Sequence, residues 1–261
     1  MKSVSPGGGY EAMARYYDAL SENMDYAKRT EYLCTLLCHA CRQTPGGLLL
    51  DLACGTGTYT YALLERGWDV IGVDASIDML NIALAKAFDR EIAPPLLLCQ
   101  PLEALDLYSA ARAAVCLTDS INHLYRPAQL QRFFKRLAHF LDPGAPFIFD
   151  VNTEYKHAHI LGNNTFVYEH EPAGVYCVWQ NTWLPQQHLT QLQLDLFAEE
   201  NGCYTRTQER FCERCYSHAE LERMLRQAGF TVEHVYGELT QCPPETNAQR
   251  VFYVVRKEGA S

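Results

Sequence analysis

Residues 48–61 read Leu-Leu-Leu-Asp-Leu-Ala-Cys-Gly-Thr-Gly-Thr-Tyr-Thr-Tyr, and this stretch decides how the rest of the chain is interpreted. Its first half is apolar apart from Asp51, as in a parallel strand that is covered on both faces. Gly55 and Gly57 follow, and a helical pattern runs from Thr58 to Arg66. Glycines between a strand and a helix let the backbone turn tightly and let a ligand approach peptide N–H groups. The stretch therefore predicts a strand, a glycine loop and a helix, the first unit of a nucleotide-binding α/β fold.

Two acidic residues narrow the kind of nucleotide that this loop would bind. Asp51 lies inside the predicted strand, where a buried carboxylate is unfavourable unless something pairs with it. It would repel the pyrophosphate of a dinucleotide, and it would accept the positively charged amino end of a ligand. Asp74 ends a second apolar run, residues 70–73, nineteen residues after Gly55. An acid at the tip of the second strand is placed to accept both hydroxyls of a ribose.

At these residues the chain resembles the class I methyltransferases that use S-adenosylmethionine (SAM). Their loop pattern stands here as Asp51-Leu-Ala53-Cys-Gly55-Thr-Gly57, with Ala53 in place of the more usual glycine. The resemblance implies an α/β, Rossmann-like fold with a seven-stranded methyltransferase sheet, and SAM as the cofactor. It also implies transfer of a methyl group to nitrogen or oxygen of a small-molecule acceptor, which leaves S-adenosylhomocysteine (SAH).

Two other functions share parts of this pattern and stay open at this point. An NAD(P)-dependent oxidoreductase has a similar loop and a similar ribose acid. Asp51, and Thr60 where a third glycine would lie, argue against the oxidoreductase. A non-catalytic SAM-binding regulatory protein would carry the same loop as an active enzyme.

The pattern along the chain also predicts how it is divided. Residues 1–154 and 216–261 are expected to form the SAM-binding domain, with residues 1–45 as a helical lid. Within residues 155–215, segments with an alternating pattern rich in Val, Thr, Tyr, Trp and Gln are separated by turn residues, which predicts an inserted antiparallel β-sheet. An insertion after the fifth strand would stand over the carboxyl ends of the main sheet and cover the acceptor.

The predicted cofactor site combines the glycine loop, the family resemblance and the polar residues that follow the strands, where open α/β sheets bind ligands. The expected SAM-binding residues are Tyr17, Asp51, Ala53, Cys54, Gly55, Gly57, Thr60, Asp74, Ala75, Met79, Gln100, Pro101, Leu102, Thr118, Asp119 and Asn122. By the resemblance, Ala75 and Met79 would flank the adenine, and Gln100 would lie at its amino group.

The residues expected to act on the acceptor come from two places. His123 is one candidate catalytic base, because neutral imidazole can take a proton near neutral pH. Tyr17 is the other, because the resemblance places it near the methionine end of SAM. The expected acceptor pocket is formed by Asn152, Trp179, Asn181, Trp183 and Arg210. Only alternate residues of a strand can face this pocket, and the sequence does not say which set does.

Composition limits the partners and the compartment. The 261-residue chain has a net charge of −9 and no run rich in Lys and Arg, so nucleic acid is not an expected partner. There is no secretory signal and no apolar run of membrane-spanning length, so no membrane association is expected. Eleven cysteines without a signal peptide indicate reduced thiols and a cytoplasmic protein. The chain is expected to be a monomer or a homodimer.

No metal is predicted. Cys34, Cys38 and Cys41 have the spacing of the cluster ligands in radical-SAM enzymes, but they lie in a helical pattern, whereas such ligands must converge from a loop. Cys212 and Cys215 could be half of a zinc site, and no second half follows at a suitable spacing.

Overall fold

The computed structural model describes residues 11–41 and 46–259, so the outer parts of the predicted lid, residues 1–10 and 42–45, lie outside the described residues. The described strands are β1 (Leu48–Leu52), β2 (Asp69–Asp74), β3 (Leu96–Cys99), β4 (Ala113–Cys116), β5 (Pro146–Asn152), β6 (Thr165–His170), β7 (Val175–Leu184), β8 (Leu189–Glu200), β9 (Cys203–Arg214), β10 (Phe230–Gly237) and β11 (Arg250–Lys257). The described α-helices are α1 (Glu11–Ala14), α2 (Tyr17–Leu20), α3 (Tyr26–Cys41), α4 (Thr58–Leu64), α5 (Ile77–Asp89), α6 (Ser120–His123), α7 (Pro127–His139) and α8 (His218–Gln227).

Seven strands form the central sheet in the order β10-β11-β5-β4-β1-β2-β3. The five strands from β1 to β5 are parallel, and β11 runs antiparallel to both of its neighbours. The predicted seven-stranded Rossmann-like sheet is therefore confirmed. Strand order reverses beside β1, because the chain moves to β2 on one side and later to β4 on the other. Ligands of such sheets bind in the crevice at the carboxyl ends of the strands at this reversal.

Residues of β1 alternate between two apolar cores, which explains why the strand is apolar throughout. Leu50 and Leu52 pack with Phe133 in the core on one face. Leu49 packs with Leu37 in the core on the other face. A strand that is covered on both faces needs no polar side, so only Asp51 breaks the run. The exception lies where the strand approaches the crevice.

The helices α5 and α8 are each capped by the serine that precedes them. The Ser76 hydroxyl accepts a hydrogen bond from the Met79 amide at 3.3 Å, which caps α5 directly after β2. The Ser217 hydroxyl accepts one from the Glu220 amide at 3.3 Å and caps α8. Serine at this position satisfies an amide that has no partner within the helix.

The insertion forms a second sheet of four antiparallel strands in the order β6-β7-β8-β9. A single π-helical segment, Lys156–Leu161, precedes it, and the period-two pattern did not predict this segment. The inner face of the sheet includes Val175, Cys177 and Leu194, which pack with Met13 and Leu20 of the lid region. The inserted sheet and the lid therefore cover each other. No helix of the described residues is long and apolar enough to cross a membrane.

Candidate active site

The loop between β1 and α4 has an unusual backbone that opens space for a ligand. Ala53, Gly55 and Gly57 all have positive φ, at 56°, 55° and 77°. A β-carbon added at Gly55 would meet no atom within 4 Å, so the loop leaves open space at this point. The left-handed backbone at Ala53 explains why related loops have glycine there, since alanine is strained in this conformation.

A cavity lies beside this loop at the carboxyl end of β1. It is lined by Tyr17, Tyr26, Asp51, Ala53, Cys54, Gly55, Thr56, Thr58, Tyr59, Leu117 and Thr118. Six of these residues are among the predicted SAM-binding residues. The sequence did not single out Tyr26 and Tyr59, whose rings meet edge to face with centroids 5.4 Å apart. Helical periodicity predicts only that both tyrosines lie in helices, and no signal in the sequence places them beside the cavity.

Asp51 is a buried carboxyl group facing this cavity. Only 2% of the residue is exposed, and its Oδ2 accepts a hydrogen bond from the Thr60 hydroxyl at 2.6 Å. Burial raises the pKa of Asp51 to about 7, the hydrogen bond from Thr60 opposes this rise, and the nearby Asp74 charge adds to it. Among the residues that the structure describes, no positive group pairs with the Asp51 carboxylate, and a cationic ligand group would supply one.

Asp74 is held in place by backbone amides. Its Oδ2 accepts a hydrogen bond from the Gly55 amide and its Oδ1 accepts one from the Ser76 amide, each at 2.8 Å. Burial raises the pKa of Asp74, and these amide hydrogen bonds oppose the rise. Each carboxylate oxygen has a second lone pair, so Asp74 can accept two further hydrogen bonds from a diol.

Other predicted cofactor residues have partners within the protein. A β-carbon at Gly57 would lie 3.1 Å from the Ala83 β-carbon, so this glycine allows α4 to approach α5. The Gln100 side chain donates to the Asp106 carbonyl at 3.1 Å and accepts from the Asp106 amide at 2.9 Å. Both residues are therefore used by the fold itself, and Gln100 is held beside the end of β3.

The remaining predicted residues on this side differ in exposure. Ala75 and Pro101 are exposed, whereas Met79 and Leu102 are buried. They lie after β2 and β3, on the same side of β1 as Asp74.

Tyr17 and its neighbour Asp18 connect the lid to the glycine loop. Tyr17 lines the cavity beside Thr118, with which its hydroxyl forms a hydrogen bond, and burial raises its pKa well above the ordinary value. Asp18 accepts a hydrogen bond from the Thr56 hydroxyl at 2.6 Å and pairs with the Lys86 ammonium at 2.7 Å. The lid helix α2 is thus fastened over the cavity.

A buried ion-pair network lies at the carboxyl ends of β4 and β5. Arg250 is 6% exposed, and its guanidinium lies 2.5 Å from Asp119 Oδ1 and 3.0 Å from Asp150 Oδ1. The two oxygens of Asp150 accept hydrogen bonds from the Thr118 and Asp119 amides, at 3.1 and 2.6 Å. Thr118 and Asp119 both have positive φ, and these bonds hold that strained turn. Asp119 therefore forms an ion pair with Arg250, and no pattern in the sequence indicated Arg250 as a site residue.

Asn122 joins three segments of backbone. Its side-chain amide donates to the Arg214 carbonyl at 2.9 Å, and its Oδ1 accepts from the Asn152 amide at 3.0 Å. The residue is fully buried, so the structure gives this predicted cofactor residue a role in linking α6, β5 and β9. Asn152 in turn donates to Glu213 Oε2 at 3.3 Å and accepts from the Lys156 ammonium at 2.9 Å.

Asp119, His123 and Glu213 form a group that we call the acid–histidine cluster. One side-chain atom from each residue, a carboxylate oxygen or an imidazole nitrogen, lies within 4.8 Å of the corresponding atoms of the other two. His123 Nε2 lies 3.8 Å from Glu213 Oε1. Burial lowers the pKa of His123, although the charge of Asp119 opposes this, so its imidazole is neutral near pH 7. Burial also raises the pKa of Glu213 to about 8, and the Asp119 charge adds to the rise.

The inserted sheet places its predicted pocket residues on two different faces. The indole of Trp179 donates to Asn181 at 2.7 Å, and Trp183 stacks on the His157 ring with centroids 5.6 Å apart, all on the inner side. Arg210, by contrast, is exposed on β9, where it directly follows the buried Glu209. The prediction of Arg210 as a pocket residue therefore does not agree with its placement, because successive residues of a strand point to opposite faces.

Known proteins resemble this chain over most of its length. Residues 49–144 match the family described as "Methyltransferase domain". The putative methyltransferase YqeM of Bacillus subtilis (strain 168) is 28% identical over 249 residues, which cover 95% of this chain and 97% of that protein. The crystal structure of an S-adenosylmethionine-dependent methyltransferase from Clostridium acetobutylicum ATCC 824 is 28% identical, with a TM-score of 0.84 over 96% of this chain and 99% of that one.

A more distant structure shares the fold. The sugar N-methyltransferase KedS8 from Streptoalloteichus sp ATCC 53650 is 20% identical, and its TM-score is 0.76 over 99% of this chain and 96% of that one.

The seven-stranded sheet, the glycine loop at its reversal point and these relatives together define a class I SAM-dependent methyltransferase. The chain is thus an enzyme that takes its methyl group from SAM.

Proposed function

We propose that this enzyme transfers the methyl group of SAM to a small molecule held between the glycine loop and the inserted sheet. The observation that carries the proposal is the cover over the crevice. The lid is fastened to the glycine loop through Asp18, and the inner face of the inserted sheet packs on the same lid. An acceptor that reaches the carboxyl ends of β4 and β5 has to fit beneath this cover, which favours a small molecule. KedS8, a sugar N-methyltransferase of the same fold, acts on such an acceptor, which agrees with this proposal.

The residues of the cavity suit SAM in charge and in shape. Open space at Gly55 lets a ligand contact the loop backbone. Asp74, fixed by two amides, would accept the ribose hydroxyls, and Asp51 would face the positively charged amino end. When bound, SAM would supply an electrophilic methyl carbon on a positively charged sulfur, with a neutral thioether as the leaving group.

The protein's own part in this reaction is alignment and exclusion of water. Tyr17 and Tyr26 from the lid and Tyr59 from α4 surround the cavity with aromatic groups. Burial raises the pKa of Tyr17 well above its ordinary value, so the phenol stays protonated near neutral pH. Holding two reactants in line within a dry pocket accounts for a large part of the acceleration of a displacement reaction.

Calorimetric titration of the purified protein with SAH, and separately with NADH, tests the cofactor site. We expect SAH to bind in the micromolar range and NADH not to bind. Asp74→Ala should weaken SAH binding about tenfold or more, because a charge-assisted hydrogen bond contributes about 1.5–3 kcal/mol. Asp69→Ala is the matched control, since Asp69 is an exposed acid at the other end of β2. Binding of NADH without SAH would contradict the proposal.

The acceptor is tested by methyl transfer from radiolabelled SAM to a library of small molecules, with denatured protein and RNA as macromolecular arms. We expect labelled product only in the small-molecule arm. Label that enters protein or RNA, with none in the small molecules, would contradict a small-molecule acceptor.

A further inference from the structure

The acid–histidine cluster lies next to the cavity, and Asp119 is its only member among the residues predicted to bind SAM. Thr118 lines the cavity, and Asp119 follows it directly. The side chains of Asp119 and His123 are 19% and 26% exposed, so a ligand can reach them, whereas that of Glu213 is 3% exposed. Phe211 forms a wall beside this group, with its ring centroid 5.2 Å from that of His123.

We propose that the acid–histidine cluster binds the amino group of an amine acceptor, and that Glu213 takes the proton that this group must lose before methylation. The proposal rests on the proposed function, because it names the chemical class of acceptor at that site. It joins residues from α6 and from the inserted sheet, so the insertion supplies part of the acceptor site.

The charges around Glu213 favour a positively charged ligand. Asp119 repels the Glu213 carboxylate, and the Lys156 and Arg250 cations attract it. Arg250 already pairs with Asp119 at 2.5 Å, and neutral His123 adds no charge. Ionised Glu213 thus adds one negative charge that no direct ion pair with Lys156 or Arg250 balances. An ammonium group would balance this added charge.

Within residues 11–41 and 46–259, the hydrogen bonding of Glu213 leaves one carboxylate oxygen available. Its Oε2 accepts a hydrogen bond from the Asn152 side chain at 3.3 Å. Its Oε1 lies 3.8 Å from His123 Nε2, which is too long for a hydrogen bond. The Asn152 side chain is itself fixed by Lys156 at 2.9 Å, so Glu213 is oriented with Oε1 toward the other two members of the cluster.

The basicity of Glu213 matches an amine and not an alcohol. Burial raises its pKa to about 8, near the range of roughly 8–10 for amino groups in water. Proton transfer between groups of similar pKa is efficient. The hydroxyl of an alcohol, with a pKa near that of water at about 15.7, would not give its proton to such a carboxylate.

The proton transfer is balanced within the cluster. An N–H bond of the bound ammonium breaks and its electron pair stays on nitrogen, while an O–H bond forms on Glu213 Oε1. The neutral nitrogen then has the lone pair that forms the new bond to the methyl carbon. After product leaves, Glu213 returns its proton to solvent.

The experiment measures methyl transfer from radiolabelled SAM to three amines and to their oxygen counterparts: glucosamine and glucose, glycine and glycolate, ethanolamine and ethylene glycol. We expect the wild type to methylate at least one amine and none of the counterparts. Glu213→Gln should lower kcat/KM for that amine about 100-fold at pH 7, since a positioned proton acceptor contributes about 10²–10⁴-fold. The deficit should shrink to about threefold or less near pH 9.5, where the amine carries less of its proton before it binds.

Matched variants separate this role from folding. Glu220→Gln removes a carboxylate that pairs with Arg214 outside the cluster, and it should leave kcat/KM unchanged. Glu213→Asp should recover part of the activity that Glu213→Gln loses. SAH affinity measured on every variant shows that the cofactor site is intact.

Each contrary result has a distinct meaning. If Glu213→Gln methylates the amine as fast as the wild type at pH 7, the proposal is overturned. It is also overturned if only the oxygen compounds react, if the wild type binds SAH but methylates no amine, or if EDTA abolishes activity and Mg²⁺ or Mn²⁺ restores it. Failure of the wild type to bind SAH would instead overturn the proposed function.

Discussion

The buried carboxyl of Asp51 should make SAH binding depend on pH. Its pKa of about 7 in the free protein means that it is mostly protonated at pH 6 and mostly ionised at pH 8. The cationic amino end of a ligand stabilises only the ionised form, so at pH 6 the protein must release a proton before it binds. We therefore expect SAH to bind more tightly at pH 8 than at pH 6.

The size of this effect follows from the pKa. With a pKa of about 7, roughly one molecule in eleven has ionised Asp51 at pH 6, and roughly ten in eleven have it at pH 8. The dissociation constant should therefore fall about tenfold between these pH values, which is about 1.4 kcal/mol. Binding near pH 7 should release about half a proton, because half of the free protein is then protonated.

Calorimetry at pH 6, 7 and 8, in pairs of buffers with different heats of ionisation, measures both the affinity and the proton release. Asp51→Asn should bind SAH weakly at every pH and should lose most of the dependence, and any dependence that remains belongs to Asp74, which faces the same loop. An equal SAH affinity at pH 6 and pH 8 in the wild type would refute the reasoning.

Asp51→Asn should weaken SAH binding, but it should stabilise the ligand-free protein. Because the folded-state pKa of Asp51 is raised, its stabilising contribution is fully present below pH 4 and is lost as the pH rises through 7. A shift from 3.8 to about 7 corresponds to a loss of up to about 4 kcal/mol at pH 8. Ligand-free Asp51→Asn should thus unfold at a higher temperature than the wild type at pH 8, and at a similar temperature at pH 4.

Three further substitutions test the loop and the ion-pair network by thermal and denaturant unfolding. Ala53→Gly should stabilise the protein by about 0.5–1 kcal/mol, because φ is 56° at this position. Gly57→Ala should destabilise it by about 2 kcal/mol or more, since its φ is 77° and the new methyl would meet the Ala83 β-carbon at 3.1 Å. Arg250→Met should remove about 3–5 kcal/mol, because the buried Asp119 and Asp150 would lose their cation.

The substitutions at Gly57 and Arg250 each have a control within the chain. Gly67→Ala shares the positive φ of the Gly57 site, at 87°, but its methyl would meet no atom within 4 Å, so its effect measures backbone strain alone. Arg226→Met breaks an exposed ion pair with Glu222 and should change stability by less than about 1 kcal/mol. Equal losses for Gly57→Ala and Gly67→Ala, or for the two arginine variants, would contradict the steric and ion-pair explanations. An Ala53→Gly protein that is less stable than the wild type would contradict the strain at Ala53.

Local patterns in the sequence were enough for the elements that carry the fold. An apolar run followed by glycines predicted β1 and its loop. Alternating residues predicted the inserted sheet. These signals act over a few residues, because strand burial, tight turns and helix caps are decided by neighbours in the chain. The part of the cavity formed by Asp51 and Gly55 was predictable for the same reason.

The outer part of the site was decided by contacts between distant residues. Arg250 and Asp119 are 131 positions apart, and they meet because β11 runs antiparallel, which brings its first residue to the carboxyl ends of the parallel strands. The choice of partner for a buried charge is made by three-dimensional packing.

For a related reason, the sequence could not predict which face of the inserted sheet is turned inward. Successive residues of β9 point to opposite faces, so Glu213 lies on one face and Arg210 on the other. The alternating pattern would look the same if the other face were turned inward. Packing of the sheet against the lid made the choice, burying Glu213 and leaving Arg210 exposed. The sequence by itself determined the class of fold and the loop that suits SAM. Only the tertiary structure brought Glu213 to His123 and Asp119, because the folding of the insertion over the sheet creates that contact.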